Sequence, residues 1–133
     1  LEAAGVGRAL ACVQTRNGGW RDASSSAIGC GGGGGKAGAG GGETLDDGTI
    51  PSILYFSFDL SDRFAELSLN VPAWLKSMID RALSFAIQSQ SADGSWAQES
   101  VGDDGYHQLA TLNDDTMTGM IRVLLVANQR YHN

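Results

Sequence analysis

At 133 residues and 13.9 kDa the chain has the length of one ordinary domain, enough to bury about two-thirds of its unfolded surface around one core. Nine Lys and Arg against fifteen Asp and Glu leave a net charge of -6 with no basic cluster to neutralise a phosphate backbone, which argues against nucleic acid as a partner. No stretch approaches the ~20 apolar residues that span a bilayer and no charged-then-apolar signal segment opens the chain, so a soluble protein with no membrane partner is expected, its leader already gone if it is secreted.

Residues 2–14 place Val6, Ala9, Leu10 and Val13 at helical spacing, with Gly5 and Gly7 weakening the start. Cys12 and Cys30 are the two cysteines, and neither lies in a C-x-x-C spacing. Two readings stand side by side: one disulfide closing a loop of about 18 residues, worth roughly 3 kcal/mol, or a buried Cys12 and a free Cys30. From Ser24 to Gly42 glycine is dense enough to forbid regular structure, and a flexible surface loop is expected. Its Gly31-to-Lys36 run continues with Ala37, and no strand precedes it, so it does not fit a phosphate-binding loop.

Beyond the loop the pattern is helical. Residues 48–60 carry Ile50, Ile53, Leu54 and Phe58, and Pro51 fits only a first turn, which puts the helix start near Thr49. Residues 72–90 open on Pro72 and set Trp74 or Leu75, Met78, Ile79, Ala82, Leu83, Ala86 and Ile87 along one face. Residues 114–130 repeat the spacing with Met117, Met120, Ile121, Leu124 and Leu125, behind Asn113 as the expected N-cap. Four helices and no convincing strand predict an all-α fold, in one domain over residues 1–133.

The chain also repeats itself. Gln14-Thr15-Arg16-Asn17-Gly18-Gly19-Trp20 and Gln90-Ser91-Ala92-Asp93-Gly94-Ser95-Trp96 share Gln, Gly and Trp at one spacing, each at the end of an expected helix. Thr44-Leu45-Asp46-Asp47-Gly48-Thr49 and Thr111-Leu112-Asn113-Asp114-Asp115-Thr116 follow in the same order, each leading into an apolar helix. The first pair reads as a helix-ending turn: Gly takes positive φ, the Gln amide ties the turn by hydrogen bonds and the Trp ring buries beside it. The acidic pair has two readings. Carboxylates at a helix start gain from its free N–H groups, yet two per turn exceed what a cap needs, and carboxylates converging on one mouth would be hard ligands for calcium.

In order, these motifs resemble the pectate lyases of polysaccharide lyase family 10, whose pattern runs YQR-x-x-GGW, T-x-DNGAT, AQ-x-x-x-GGWPQ and T-x-NDDAM. The resemblance implies helical hairpins forming part of an α/α toroid and an anti β-elimination on polygalacturonate. Calcium would bridge substrate carboxylates to enzyme acids, and an Arg would remove the proton at C5. It assigns Asp46, Asp114 and Asp115 to the metal, and Asp46, Asp47, Asp114, Arg21, Trp20 and Trp96 to an acidic polysaccharide. The implied location is extracellular or periplasmic. Asp22 stands where the family carries a cleft Lys, Ala97 replaces a Pro, and the base lies downstream of the NDDAM helix, so neither Arg122 nor Arg130 is assigned to it.

The alternative is a non-catalytic helical scaffold that binds a glycan or another chain. A terpene-cyclase reading fails at Leu112, where the protonating D-x-D-D-T signature needs Asp. Four helices make an open arc with uncovered apolar faces, which predicts self-association or docking on a larger assembly. Size-exclusion chromatography checks this expectation, and a tight monomer would contradict it.

Overall fold

The computed structural model describes residues 2–21, 42–100 and 105–131. Within them lie four α-helices, α1 (Glu2–Val13), α2 (Thr49–Glu66), α3 (Ala73–Gln88) and α4 (Thr116–Tyr131), with short 3-10 turns at Tyr106–Gln108 and Asn113–Asp115. No named strand occurs among the described residues, only two isolated antiparallel bridges, Thr44 with Glu99 and Ala97 with Ala110. The all-α expectation holds. The glycine-rich segment expected as a loop over 24–42 lies outside the described residues up to Gly42, as does Cys30; Cys12 is disulfide-bonded.

α2 is central and packs on α1, α3 and α4. Its buried Ile50, Leu54, Ser57 and Phe58 recur every three to four residues, and the Ser57 hydroxyl donates to Ile53 O at 2.6 Å. The helix runs six residues past the expected end at Leu60. Residues 61–66 are mostly polar and carry little apolar signal; they stay helical until Ser68 turns left-handed at φ 55, where Leu69 N reaches Phe64 O and Ser68 N reaches Ala65 O. Asp62 in this added turn takes both guanidinium nitrogens of Arg130, at 2.8 and 2.9 Å, tying the ends of α2 and α4.

The buried faces differ from the expected ones by a small rotation. In α3, Leu75 is fully buried and Trp74 partly so, while Phe85 turns inward and Ile87 is 61% exposed. In α4, Thr116, Gly119, Met120, Val123 and Ala127 face the core, whereas Ile121 and Leu125 are exposed. Apolar residues lie all round α4, so periodicity does not choose a face; the close fit of Gly119 against Pro51 does, since a Cβ there would sit 2.9 Å from the proline ring. Asn113 starts the 3-10 turn ahead of α4 and makes no side-chain cap there.

The two hairpin turns match atom by atom. Gln14 Nε2 donates to Gly18 O, and Gln90 Nε2 to Gly94 O, both at 2.8 Å. The Trp20 indole N–H reaches Leu10 O at 2.9 Å and that of Trp96 reaches Ala86 O at 2.8 Å, each ten residues back in the preceding helix. Gly18 and Gly94 both hold positive φ, 102° and 87°. The first turn also docks on α3, through Gln14 Nε2 to Met78 O at 3.0 Å and the Arg81 guanidinium to Thr15 O. Gly18 lies so close that a Cβ would stand 2.2 Å from Arg81 O. Gly18→Ala is therefore expected to cost about 3–5 kcal/mol, far more than an ordinary exposed loop substitution; chemical denaturation compared with Gly5→Ala, which meets open space, measures it.

Candidate functional site

Residues 43–45 and 98–100 run antiparallel and bring the first acidic turn beside the second hairpin. Leu45 N donates to Gln98 O at 2.7 Å and Ser100 N to Glu43 O at 2.9 Å, while Thr44 N takes Trp20 O at 2.9 Å. Both acidic turns start alike, with a Thr hydroxyl accepting from the N–H two residues on: Thr44 from Asp46 and Thr111 from Asn113, each at 3.1 Å. Each then passes through two left-handed residues, Asp47 and Gly48 (φ 51° and 64°), and Asp114 and Asp115 (φ 53° and 59°). Asp115 thus holds a conformation that its counterpart Gly48 adopts without a Cβ penalty, a strain of the kind found at functional sites.

Asp46 and Asp114 direct their carboxylates across to other elements, while Asp115 stays against the first turn of α4. No side chain caps α2, whose first residue follows Gly48, so capping does not account for Asp46 and Asp47. Asp46 Oδ2 instead accepts from Gln98 Nε2 at 3.0 Å, and its Oδ1 accepts from Thr116 Oγ1 at 3.2 Å and Asp47 N at 2.9 Å. Asp114 Oδ2 meets the same Gln98 Nε2 at 3.4 Å. Two carboxylates from distant turns thereby share one buried amide.

The other expected site residues divide. Asp47 is exposed beside Asp46, and Arg21 is exposed just beyond Trp20, whose carbonyl pairs with Thr44. Asp115 does not join the shared amide; its carboxylate accepts from Thr118 Oγ1 and packs over Gly119. Trp20 and Trp96 are 4% and 3% exposed, with their indoles spent on helix carbonyls, so they hold up the turns and present no open face. Three residues that sequence reasoning did not assign to the site belong to it: Gln98, Thr116 and His107, whose Nδ1 lies 3.0 Å from Gln98 Oε1. Gln98 stood in the motif beside Trp96, but a lone His in an irregular segment carries no periodic signal.

Hard anionic oxygens gathered at one point fit a cation, though only as part of its shell. Calcium takes six to eight oxygens, and among the described residues no group of three or more His, Cys, Asp or Glu is placed to hold a metal ion. Asp46 and Asp114 could supply two ligands, the rest coming from water or from an anionic substrate.

Glu43 braces the frame. Buried at 5% exposure, its Oε2 accepts from Ser100 Oγ at 2.6 Å and its Oε1 from Asn17 Nδ2 at 2.9 Å, which ties the first hairpin turn to the segment that follows the second. Burial pushes its pKa up, but hydrogen bonds, that of Ser100 foremost, outweigh this and hold it below the ordinary 4.5. Between the lowered value and 4.5 the unfolded chain binds the proton more readily, so the stability Glu43 contributes is complete above 4.5 and is lost as pH falls through the folded value. Glu43→Gln is expected to melt lower at neutral pH and to lose less on acidification; thermal melts across the acid range check both.

The family model for pectic acid lyase matches residues 14–132. No curated protein and no solved structure matches the chain.

Proposed function

The chain belongs to the pectic acid lyase family, and from that premise we propose that its acidic turns form the calcium side of a site that binds polygalacturonate for β-elimination, within an arc of an α/α toroid. One observation carries the reading: Asp46 and Asp114, from turns far apart in sequence, meet at the Gln98 amide. Calcium bound there would draw charge from a substrate carboxylate and so acidify the adjacent C5–H. Asp46 and Asp114 would hold that carboxylate's uronate by sharing its cation, and exposed Arg21 and Asp47 would flank it.

The base is not assigned to this chain. Arg130 is committed to Asp62 at the far end of α4, away from the acidic turns at its start, and structural use explains it fully. The disulfide at Cys12 supports an oxidising compartment, extracellular or periplasmic.

A scaffold reading has support of its own. α3 and α4 bound a groove of ≈ 350 Å³ lined by Leu83, Ile87, Leu124, Ala127 and Tyr131 together with Asp80 and Asn128, and Ile87, Leu125 and Tyr131 are exposed, a mainly apolar surface suited to another chain or a second copy. The discriminating experiment follows unsaturated uronate by absorbance on polygalacturonate with and without calcium. Calcium uptake is expected by calorimetry, with Asp46→Asn or Asp114→Asn weakening it at least about tenfold, the loss of one cation ligand, and calcium-dependent product would in addition place the base on this chain. No product with calcium, together with no calcium uptake by calorimetry, would leave only the scaffold.

A further inference from the structure

Gln98 is 4% exposed and its amide is used at both ends. Nε2 faces two carboxylate oxygens, Asp46 Oδ2 and Asp114 Oδ2, and Oε1 faces His107 Nδ1. The reverse orientation would set the amide oxygen against both carboxylates, so charge decides which way the amide points. It follows that His107 Nδ1 carries a proton and donates it to Oε1, leaving Nε2 bare in the neutral ring. Two carboxylates drawn together repel. A single NH₂ group has two donors and can serve both while remaining neutral.

We propose that Gln98, oriented by His107, is a positioning residue that holds Asp46 and Asp114 together in the place of a cation and yields them when the cation binds. The inference rests on the calcium reading above. The exchange needs only the side chain to move, because the main chain of Gln98 is pinned by Leu45 N to its carbonyl at 2.7 Å and by its own N–H to His107 O at 3.0 Å. A role in packing alone would stabilise the protein equally with and without the cation; a placeholder stabilises only the cation-free state.

Thermal melts of the wild type and Gln98→Ala, in chelator and in saturating calcium, separate the two. The variant is expected to melt lower in chelator, with the gap closing as calcium saturates. Calorimetry should give a calcium Kd roughly fivefold tighter in the variant, equivalent to one hydrogen bond lost from the cation-free state only. A gap that calcium leaves unchanged would overturn the placeholder role while sparing the calcium reading. No calcium-induced shift in the wild type would overturn both. Nitrogen-15 NMR of the wild-type His107 ring needs no variant: the Nδ1–H tautomer is expected, its signal moving on calcium addition, and an Nε2–H tautomer would refute the amide orientation.

Discussion

The hydrogen bond from a buried indole N–H to a helix carbonyl ten residues earlier is the interaction on which the rest of this structure hangs. It occurs twice, from Trp20 to Leu10 and from Trp96 to Ala86, and each time it folds the chain leaving a helix back over that helix's last turns. The ring fills the space between helices while its one polar atom donates to a carbonyl in the helix's last turns, at Leu10 alongside the Gln14 N–H that the same oxygen accepts. A glycine at positive φ and a Gln amide complete the reversal. Beside the first turn Trp20 O accepts from Thr44 N, and Leu45 N and Ser100 N pair residues 43–45 with 98–100 side by side.

That adjacency is what creates the site. Main-chain pairing of 43–45 with 98–100 sets Asp46 next to Gln98, and the packing of α2 on α4 over Gly119 brings the second acidic turn to the same amide. Asp114 is itself left-handed and Asp46 precedes a left-handed pair, and both carboxylates meet at a shared point, while left-handed Asp115 stays on α4. Charge repulsion at that point is offset by a neutral amide, and a short distance away the buried carboxylate of Glu43 is held by neutral donors as well. The site thus concentrates negative charge with no Lys or Arg hydrogen-bonded to Asp46, Asp114 or Glu43 among the described residues, an arrangement that favours a cation or a cation-bridged anion over a bare polyanion.

Membership of the pectic acid lyase family and the geometry speak to different halves of a lyase site. The acids and their supporting frame are present within the described residues. Arg21 is exposed, and Arg130 is spent on joining α2 to α4.

Much of the architecture was legible because it is local. Helical spacing, Pro51 in a first turn and the doubled Gln-Gly-Trp unit depend on neighbours within a few residues, and α1, α2, α3 and α4 start within two or three positions of where the pattern puts them. The acidic doublets were legible as chemistry for the same reason. Which face of α4 is buried, that α2 continues through a polar turn to Glu66, and that Asp115 turns aside while Asp114 does not were decided only by tertiary contact: Gly119 on Pro51, Asp62 with Arg130, and Thr118 beside Asp115. Gln98, Thr116 and His107 joined the site on the same terms. Their function depends on what lies across from them, and that is set by packing between elements remote in sequence, for which the residues themselves carry no periodic or compositional mark.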